Sequence, residues 1–277
     1  MKKLISLLLT AAMLASFALT GCGSGSTETT TAEGGQTTEE TTQEETSSDD
    51  KKVFVYPADQ DVSNLLPSSG GSDSVAVMYK PLYDPLYIIN NAETRYYLVD
   101  KLEVSDDGLN IKLHFNENAK WHDGEPVTVD DLLFTLKYFT EGATKTSTTY
   151  TKINGEDVVY EKVDDYNVNI TLPSYLSKFV TTLGRLCIYP EHVFNGDVTT
   201  VETSDAAMQG IGNGPFKLKE WNKGENIIYE KNTDYYRGEA KIDELIMKII
   251  PDSSAKEVAF QSGEVSCLRI SSKEKYE

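Results

Sequence analysis

The chain is poor in the residues that build reactive centres. Its 277 residues include three cysteines, three histidines and two tryptophans. None of the patterns G-x-S-x-G, H-E-x-x-H or G-x-x-x-x-G-K-[ST] occurs, which removes the common serine-hydrolase, zinc-protease and P-loop readings. His114 falls on the polar side of a strand pattern, His122 in a turn and His192 after Pro190-Glu191, so no metal site is expected. No cofactor is expected either. Gly210-Ile211-Gly212-Asn213-Gly214-Pro215 has the wrong spacing for a dinucleotide fingerprint, and Pro215 blocks the helix that has to follow. These glycines read instead as a turn that needs φ > 0. Together the absences argue against an enzyme. Basic charge is also in deficit: 26 Lys and Arg stand against 44 Asp and Glu, a net charge of −18. That sign argues against nucleic acid or anionic lipid as ligand and reads first as a solvated acidic surface.

Long apolar runs are missing except at the start. Lys2 and Lys3 precede Leu4 to Leu19, an apolar stretch too short to span a bilayer comfortably. Leu19-Thr20-Gly21-Cys22 then resembles a lipobox, so residues 1–21 read as a lipoprotein signal peptide and Cys22 as the lipidated mature N-terminus. The alternative is a plain signal peptide with an incidental cysteine. Gly23 to Asp50 has no Lys, no Arg and no aromatic residue, but eight carboxylates among Gly, Ser, Thr, Gln and Ala. Such a composition cannot bury enough apolar surface to fold, so 22–52 reads as a disordered acidic Thr/Glu tether. With the signal contributing +2 and this segment −8, residues 51–277 carry −12. The spacing of Cys187 and Cys267 does not decide whether they pair; Cys187, in the apolar run Leu-Cys-Ile-Tyr-Pro, reads as a buried free thiol.

The rest has strong local signals. Leu109, Ile111, Leu113 and Phe115 alternate with polar residues, Asp106-Asp107-Gly108 is turn chemistry, and Leu102 and Val104 alternate before it, which predicts a hairpin. Thr128 with Asp131 has the form of a capping box, and Val129, Leu132, Leu133, Leu136 and Phe139 line one face of a helix. Two more hairpins are predicted, over Asp157 to Leu172 and Phe216 to Lys231. Val53 to Tyr56 reads as a strand, and Val75 to Leu82 as a short helix capped by Ser72 or Asp73. Ile242 to Ile250 reads as a strand covered on both faces, and Ser254 with Glu257 as the capping box of a helix ending at Gly263. His122-Asp123-Gly124-Glu125 could be taken for an acid/base or metal set, but reads better as a turn with Trp121 as a packing anchor. Asn169-Ile170-Thr171 matches a glycosylation acceptor and reads as strand surface.

The segment from Leu109 to Phe139, with its tight WHDGEPVT loop, resembles the signature of extracytoplasmic solute-binding proteins of family 5, receptors of ABC importers for peptides, nickel and related solutes. Gly210 to Ser266 (GIGNGPFKL, a YYRG turn, a strand, then a helix ending in Gly-Glu) is similar to the family's second hallmark. The resemblance runs from about Val53 to Glu264. It implies an α/β fold of the type II periplasmic-binding-protein kind. Residues 53–82 and 184–264 would form the first lobe and 83–183 an inserted subdomain, together the N-terminal portion (53–277) of a solute-binding domain. Family members continue through a second lobe beyond the Gly-Glu dipeptide, and here Ser266 stands where an acid is usual. The expectation is therefore a first lobe and subdomain with the second lobe missing. The implied ligand contacts are Ser69, Gly70, Gly71 and Ser72, where glycines let main chain approach a ligand, and Tyr150, whose ring could pack on it. The competing readings are a solvent loop and a core aromatic. The implied function is a lipid-anchored receptor on the extracytoplasmic face of a Gram-positive membrane, passing oligopeptides to an ABC permease. Nickel, a sugar or another solute, and a non-functional half-receptor, stand as alternatives.

Overall fold

The computed structural model describes residues 51–67, 73–91, 93–142 and 149–269. The expected signal peptide over 1–21, Cys22 and residues 23–50 of the expected tether lie outside the described residues. Twelve strands and five helices follow one another along this part. They are β1 (Val53–Ala58), α1 (Asp73–Tyr79), β2 (Tyr87–Asn90), β3 (Glu93–Tyr96), β4 (Val99–Val104), β5 (Asn110–Phe115), α2 (Val129–Glu141), β6 (Lys152–Ile153), β7 (Glu156–Asp157), β8 (Val159–Lys162), β9 (Asn167–Thr171), α3 (Phe179–Gly184), α4 (Ala206–Gln209), β10 (Phe216–Asn222), β11 (Asn226–Lys231), β12 (Glu244–Ile249) and α5 (Ser253–Gln261).

Two four-stranded sheets dominate. One runs β1-β12-β11-β10, with β1 parallel to β12 and the others antiparallel. The other runs β4-β5-β9-β8 and is antiparallel throughout. The three hairpins sit where alternation and turn chemistry put them. Glu103 pairs with Lys112 across the first, Tyr160 with Ile170 across the second, and Trp221 with Ile227 across the third. Gly108 and Gly224 occupy the left-handed turn positions, at φ +70° and +80°. On β5, Ile111, Leu113 and Phe115 are buried while Asn110 and Lys112 are exposed, and Val168 and Ile170 of β9 continue the buried face.

The helices depart more from the pattern. Helix α2 starts after Thr128, whose N–H donates to the Asp131 carboxylate at 2.9 Å. It buries more than the expected stripe. Phe134, Thr135 and Tyr138 are enclosed as well, and Leu133 is only half-buried. The reason is a second layer, residues 189–202. Phe134 stacks on Phe194 at 5.9 Å, Tyr189 N–H donates to Thr135 Oγ1 at 2.9 Å, and the Tyr138 hydroxyl donates to Glu202. Helix α1 stops at Tyr79 rather than Leu82, because Pro81 disfavours helical backbone at Lys80. Helix α5 is capped by Asp252, not Ser254. The Asp252 carboxylate accepts the Ala255 N–H at 2.8 Å, and both serines already lie inside the helix. Gly263, at φ +77°, ends it as expected.

Strand β12 is not covered on both faces. Glu244 and Met247 are buried, but Leu245, Ile246 and Ile249 are half-exposed. Helix α5 adds one fully buried side chain, Ala259, and leaves Val258 and Phe260 exposed at 64% and 45%. Cys187 and Cys267 are both free thiols. Among the described residues no helix is long and apolar enough to cross a membrane.

Candidate functional site

Of the five residues expected to touch a ligand, Ser69, Gly70, Gly71 and Ser72 lie outside the described residues. Tyr150 is described. Its ring is half-buried and stacks on Phe139 of α2, with centroids 5.6 Å apart and planes at 23°. Its backbone carbonyl accepts the Tyr160 hydroxyl at 2.7 Å. Tyr79, at the end of α1, and Cys187 lie within electrostatic reach of it. Burial pushes the Tyr79 hydroxyl and the Cys187 thiol up to about 12 each and raises Tyr150, so the group is uncharged at neutral pH. Tyr79 and Cys187 are distant from Tyr150 in the chain, and no spacing in the sequence connects the three, although the apolar run around Cys187 marked it as a buried thiol.

The WHDG turn and the Gly-rich segment form one joint between the sheets. The Leu82 carbonyl accepts the N–H groups of Asn213, at 2.9 Å, and Gly214, at 2.8 Å. Gly212 and Gly214 pass so close to Leu82 that a Cβ on either would collide with its backbone. Of the three glycines only Gly210 has positive φ, so for Gly212 and Gly214 the demand is close approach rather than turn geometry. His122 closes the joint. Its N–H donates to Gly212 O at 2.7 Å, and its Nδ1 accepts the Gly212 N–H at 3.0 Å. An accepting Nδ1 puts the ring proton on Nε2, which donates to Gly214 O at 3.2 Å. Lys217 Nζ donates to the His122 carbonyl at 3.1 Å. Burial holds the imidazole down at about 4, so it is neutral. His122 is thus a structural residue.

Two buried carboxylates tie the surrounding loops. Asp131 accepts from Thr128 N (2.9 Å), Glu191 N (2.9 Å) and Trp121 Nε1 (3.2 Å), joining the WHDG loop, α2 and the Pro-Glu-His segment. Burial raises it to about 6 even so. Asp84 accepts on one oxygen from the hydroxyls of Tyr235, at 2.6 Å, and Tyr236, at 2.8 Å, and its N–H donates to Asn213 Oδ1 at 2.8 Å. Burial raises Asp84 too. Arg237 completes the YYRG turn by stacking on Tyr97, 4.1 Å from the ring centroid. The legible signal for Asp84 was one acid inside the apolar run 82–87. Elsewhere His192 Nε2 meets Asp123 Oδ2 at 2.8 Å, and among the described residues no cluster of His, Cys, Asp or Glu could hold a metal ion.

A lobe with a mixed sheet beside an antiparallel one, joined through loops rather than built around a reactive centre, defines a class: the fold is that of the type II periplasmic binding proteins. Within that class the chain belongs to the bacterial extracellular solute-binding proteins, family 5, whose model matches residues 93–276. It is 29% identical over 229 residues to the oligopeptide-binding protein AppA of Bacillus subtilis, covering 74% of this chain and 41% of that one. It resembles the crystal structure of the ABC transporter substrate binding protein CtaP from Listeria monocytogenes, with a TM-score of 0.71 and 28% identity, over 78% of this chain and 44% of the other. It also resembles AppA from B. subtilis in complex with a nonapeptide, with a TM-score of 0.65 and 27% identity, over 78% of this chain and 43% of that one. The chain therefore spans about two fifths of the length of the relatives it matches. The family is one of solute-binding proteins rather than enzymes.

Proposed function

We propose that this chain is part of a peptide receptor of an ABC importer, tethered by lipid at Cys22 to the extracytoplasmic face of the membrane. The carrying observation is the match to relatives named for oligopeptide binding, one of them solved with a nonapeptide. In this reading residues 53–82 and 184–264 form the first lobe and 83–183 the inserted subdomain. Sheet membership supports the division, since β1 and β10 to β12 share one sheet and β4, β5, β8 and β9 the other. The ligand is held against Tyr150 and the loop Ser69, Gly70, Gly71 and Ser72, a second lobe closes over it by a hinge, and the closed form docks on the permease. Main-chain contacts carry the affinity, which leaves peptide side chains loosely specified.

Calorimetric titration with a nonapeptide tests the binding. Residues 51–277 alone are expected to bind weakly, because enclosure on both sides is what buries most of a ligand's surface. The same residues within a chain of the relatives' length are expected to bind tightly and saturably. Tight binding by residues 51–277 as a stable monomer overturns the need for a second lobe, and no binding by either form overturns the peptide reading. Mass spectrometry of membrane-fraction protein tests the anchor. The expected mature chain begins at a lipidated Cys22, and a Cys22→Ser chain that stays membrane-bound contradicts it.

A further inference from the structure

One contact in the joint between the two sheets depends on the ionisation of a single ring. His122 lies on the loop between β5 and α2, which belongs to the antiparallel sheet, and it grips the Gly210 to Gly214 segment leading into β10 of the mixed sheet. The same segment is held independently by the Leu82 carbonyl through Asn213 and Gly214. The two grips use different atoms. Leu82 holds the N–H groups of Asn213 and Gly214, whereas His122 Nδ1 holds the N–H of Gly212.

We propose that His122 is an acid-sensitive clasp: protonation at Nδ1 breaks the ring's bond to the Gly212 N–H, while the His122 main-chain N–H stays on Gly212 O and the Leu82 grip stays closed. An imidazolium has no acceptor, so the Gly212 N–H loses its partner and faces a second N–H instead. The charge also appears beside Lys217, whose Nζ sits on the His122 carbonyl. The charged neighbours on every side are few. Lys217 comes from β10, with Asp234 at 3.9 Å from its Nζ. Asp123, next in the turn, is engaged by His192. Asp84, from the Leu82 segment, is turned toward Tyr235 and Tyr236. Burial, the largest influence, and Lys217 oppose the cation, whereas the Gly214 and Gly210 backbone and the Asp123 charge favour it; the balance places the change near pH 4 and leaves the Nδ1 contact closed at neutral pH.

Amide hydrogen exchange on the full chain, followed by NMR from pH 7 to 3.5, separates the two grips. Losing one hydrogen bond is expected to lower the protection of Gly212 by about tenfold, with Asn213 and Gly214 changed far less. Imidazole ¹⁵N shifts of His122 should report an unprotonated Nδ1 above the transition and two protonated nitrogens below it. Lys217→Met should move the midpoint upward, because it removes a repelling charge. His122→Leu, which has no acceptor, should leave Gly212 unprotected at every pH; if that chain does not fold, the comparison of wild type with Lys217→Met decides. Gly212 protection that persists to pH 3.5, loss of all three amides in step, or a midpoint indifferent to Lys217→Met each overturns the proposal.

Discussion

A Cβ on Gly212 would lie 1.9 Å from the carbonyl oxygen of Leu82. No rotamer relieves that contact, because both partners are backbone. Gly212→Ala must therefore push the Gly-rich segment off Leu82 and open the joint, at an expected cost of about 3 kcal/mol or more. Gly224 is the control. Nothing stands within 4 Å of its missing Cβ, but its φ is +80°, so Gly224→Ala is expected to cost only about 1 kcal/mol. Urea unfolding of the two variants checks the order, and equal costs would refute the close-approach account.

Asp84 and its two tyrosines are predicted to be strongly non-additive. With one hydroxyl removed, Tyr235→Phe or Tyr236→Phe leaves the carboxylate a remaining donor on the same oxygen. Each single change is expected to cost about 1 kcal/mol. The double change strands a buried carboxylate, so its cost should exceed the sum of the singles by about 1 kcal/mol or more. It should also raise Asp84 further, because the two hydroxyl bonds, with the Arg237 charge behind them, lower it against burial. A double-mutant cycle by chemical denaturation measures the coupling.

Asp131 and His122 give opposite pH dependences in overlapping windows. Asp131 is raised from 3.8 to about 6 in the folded chain. Its contribution is therefore full below pH 3.8 and lost as pH rises through 6, by about 3 kcal/mol. His122 is lowered from 6.5 to about 4. Its contribution is full above pH 6.5 and lost as pH falls through 4, again by about 3 kcal/mol. These two contributions should then nearly cancel between pH 4 and 6. His122→Gln removes one of the two, so relative to wild type its stability should rise as pH falls from 6 to 4. Denaturation midpoints of both chains across that range check the sign, and a variant that weakens relative to wild type on acidification would be inconsistent with it.

What the sequence revealed follows from the range of the interactions involved. The hairpins at β4–β5, β8–β9 and β10–β11 are local, and their alternation and turn residues are written within a few positions of one another. Cap Asp252 was missed because Ser254 with Glu257 satisfies the same pattern two residues later, and only backbone angles separate the two. The half-exposure of Leu245, Ile246 and Ile249 was illegible, since an apolar run records what a strand can bury and not what lies over it. The site was less legible still. Tyr150 could be named from a resemblance, but its neighbours Tyr79 and Cys187 come from α1 and from the approach to the residue 189–202 layer, and no spacing rule connects them. His122 was correctly read as part of a turn, though its grip on Gly212 is a tertiary contact that the local pattern does not contain.

Tyr150 allows the ligand reading to be separated from the packing reading by a single atom. Its ring stacks on Phe139, and its backbone carbonyl receives Tyr160, so both contacts survive in Tyr150→Phe. That variant is expected to keep its stability within about 0.5 kcal/mol. Tyr150→Ala deletes the stacked ring, and should cost about 2 kcal/mol for a half-buried aromatic. If the hydroxyl meets a ligand, Tyr150→Phe in a chain of the relatives' length should lose affinity, by about tenfold for one hydrogen bond, with no change in unfolding. Affinity is the decisive quantity because packing predicts no effect on it from a lost hydroxyl. Unchanged peptide affinity in both variants, measured by calorimetry well below the unfolding temperature of the weaker one, would make Tyr150 a core aromatic and remove it from the ligand wall. Reduced affinity in Tyr150→Ala alone would assign the ring, rather than the hydroxyl, to ligand contact.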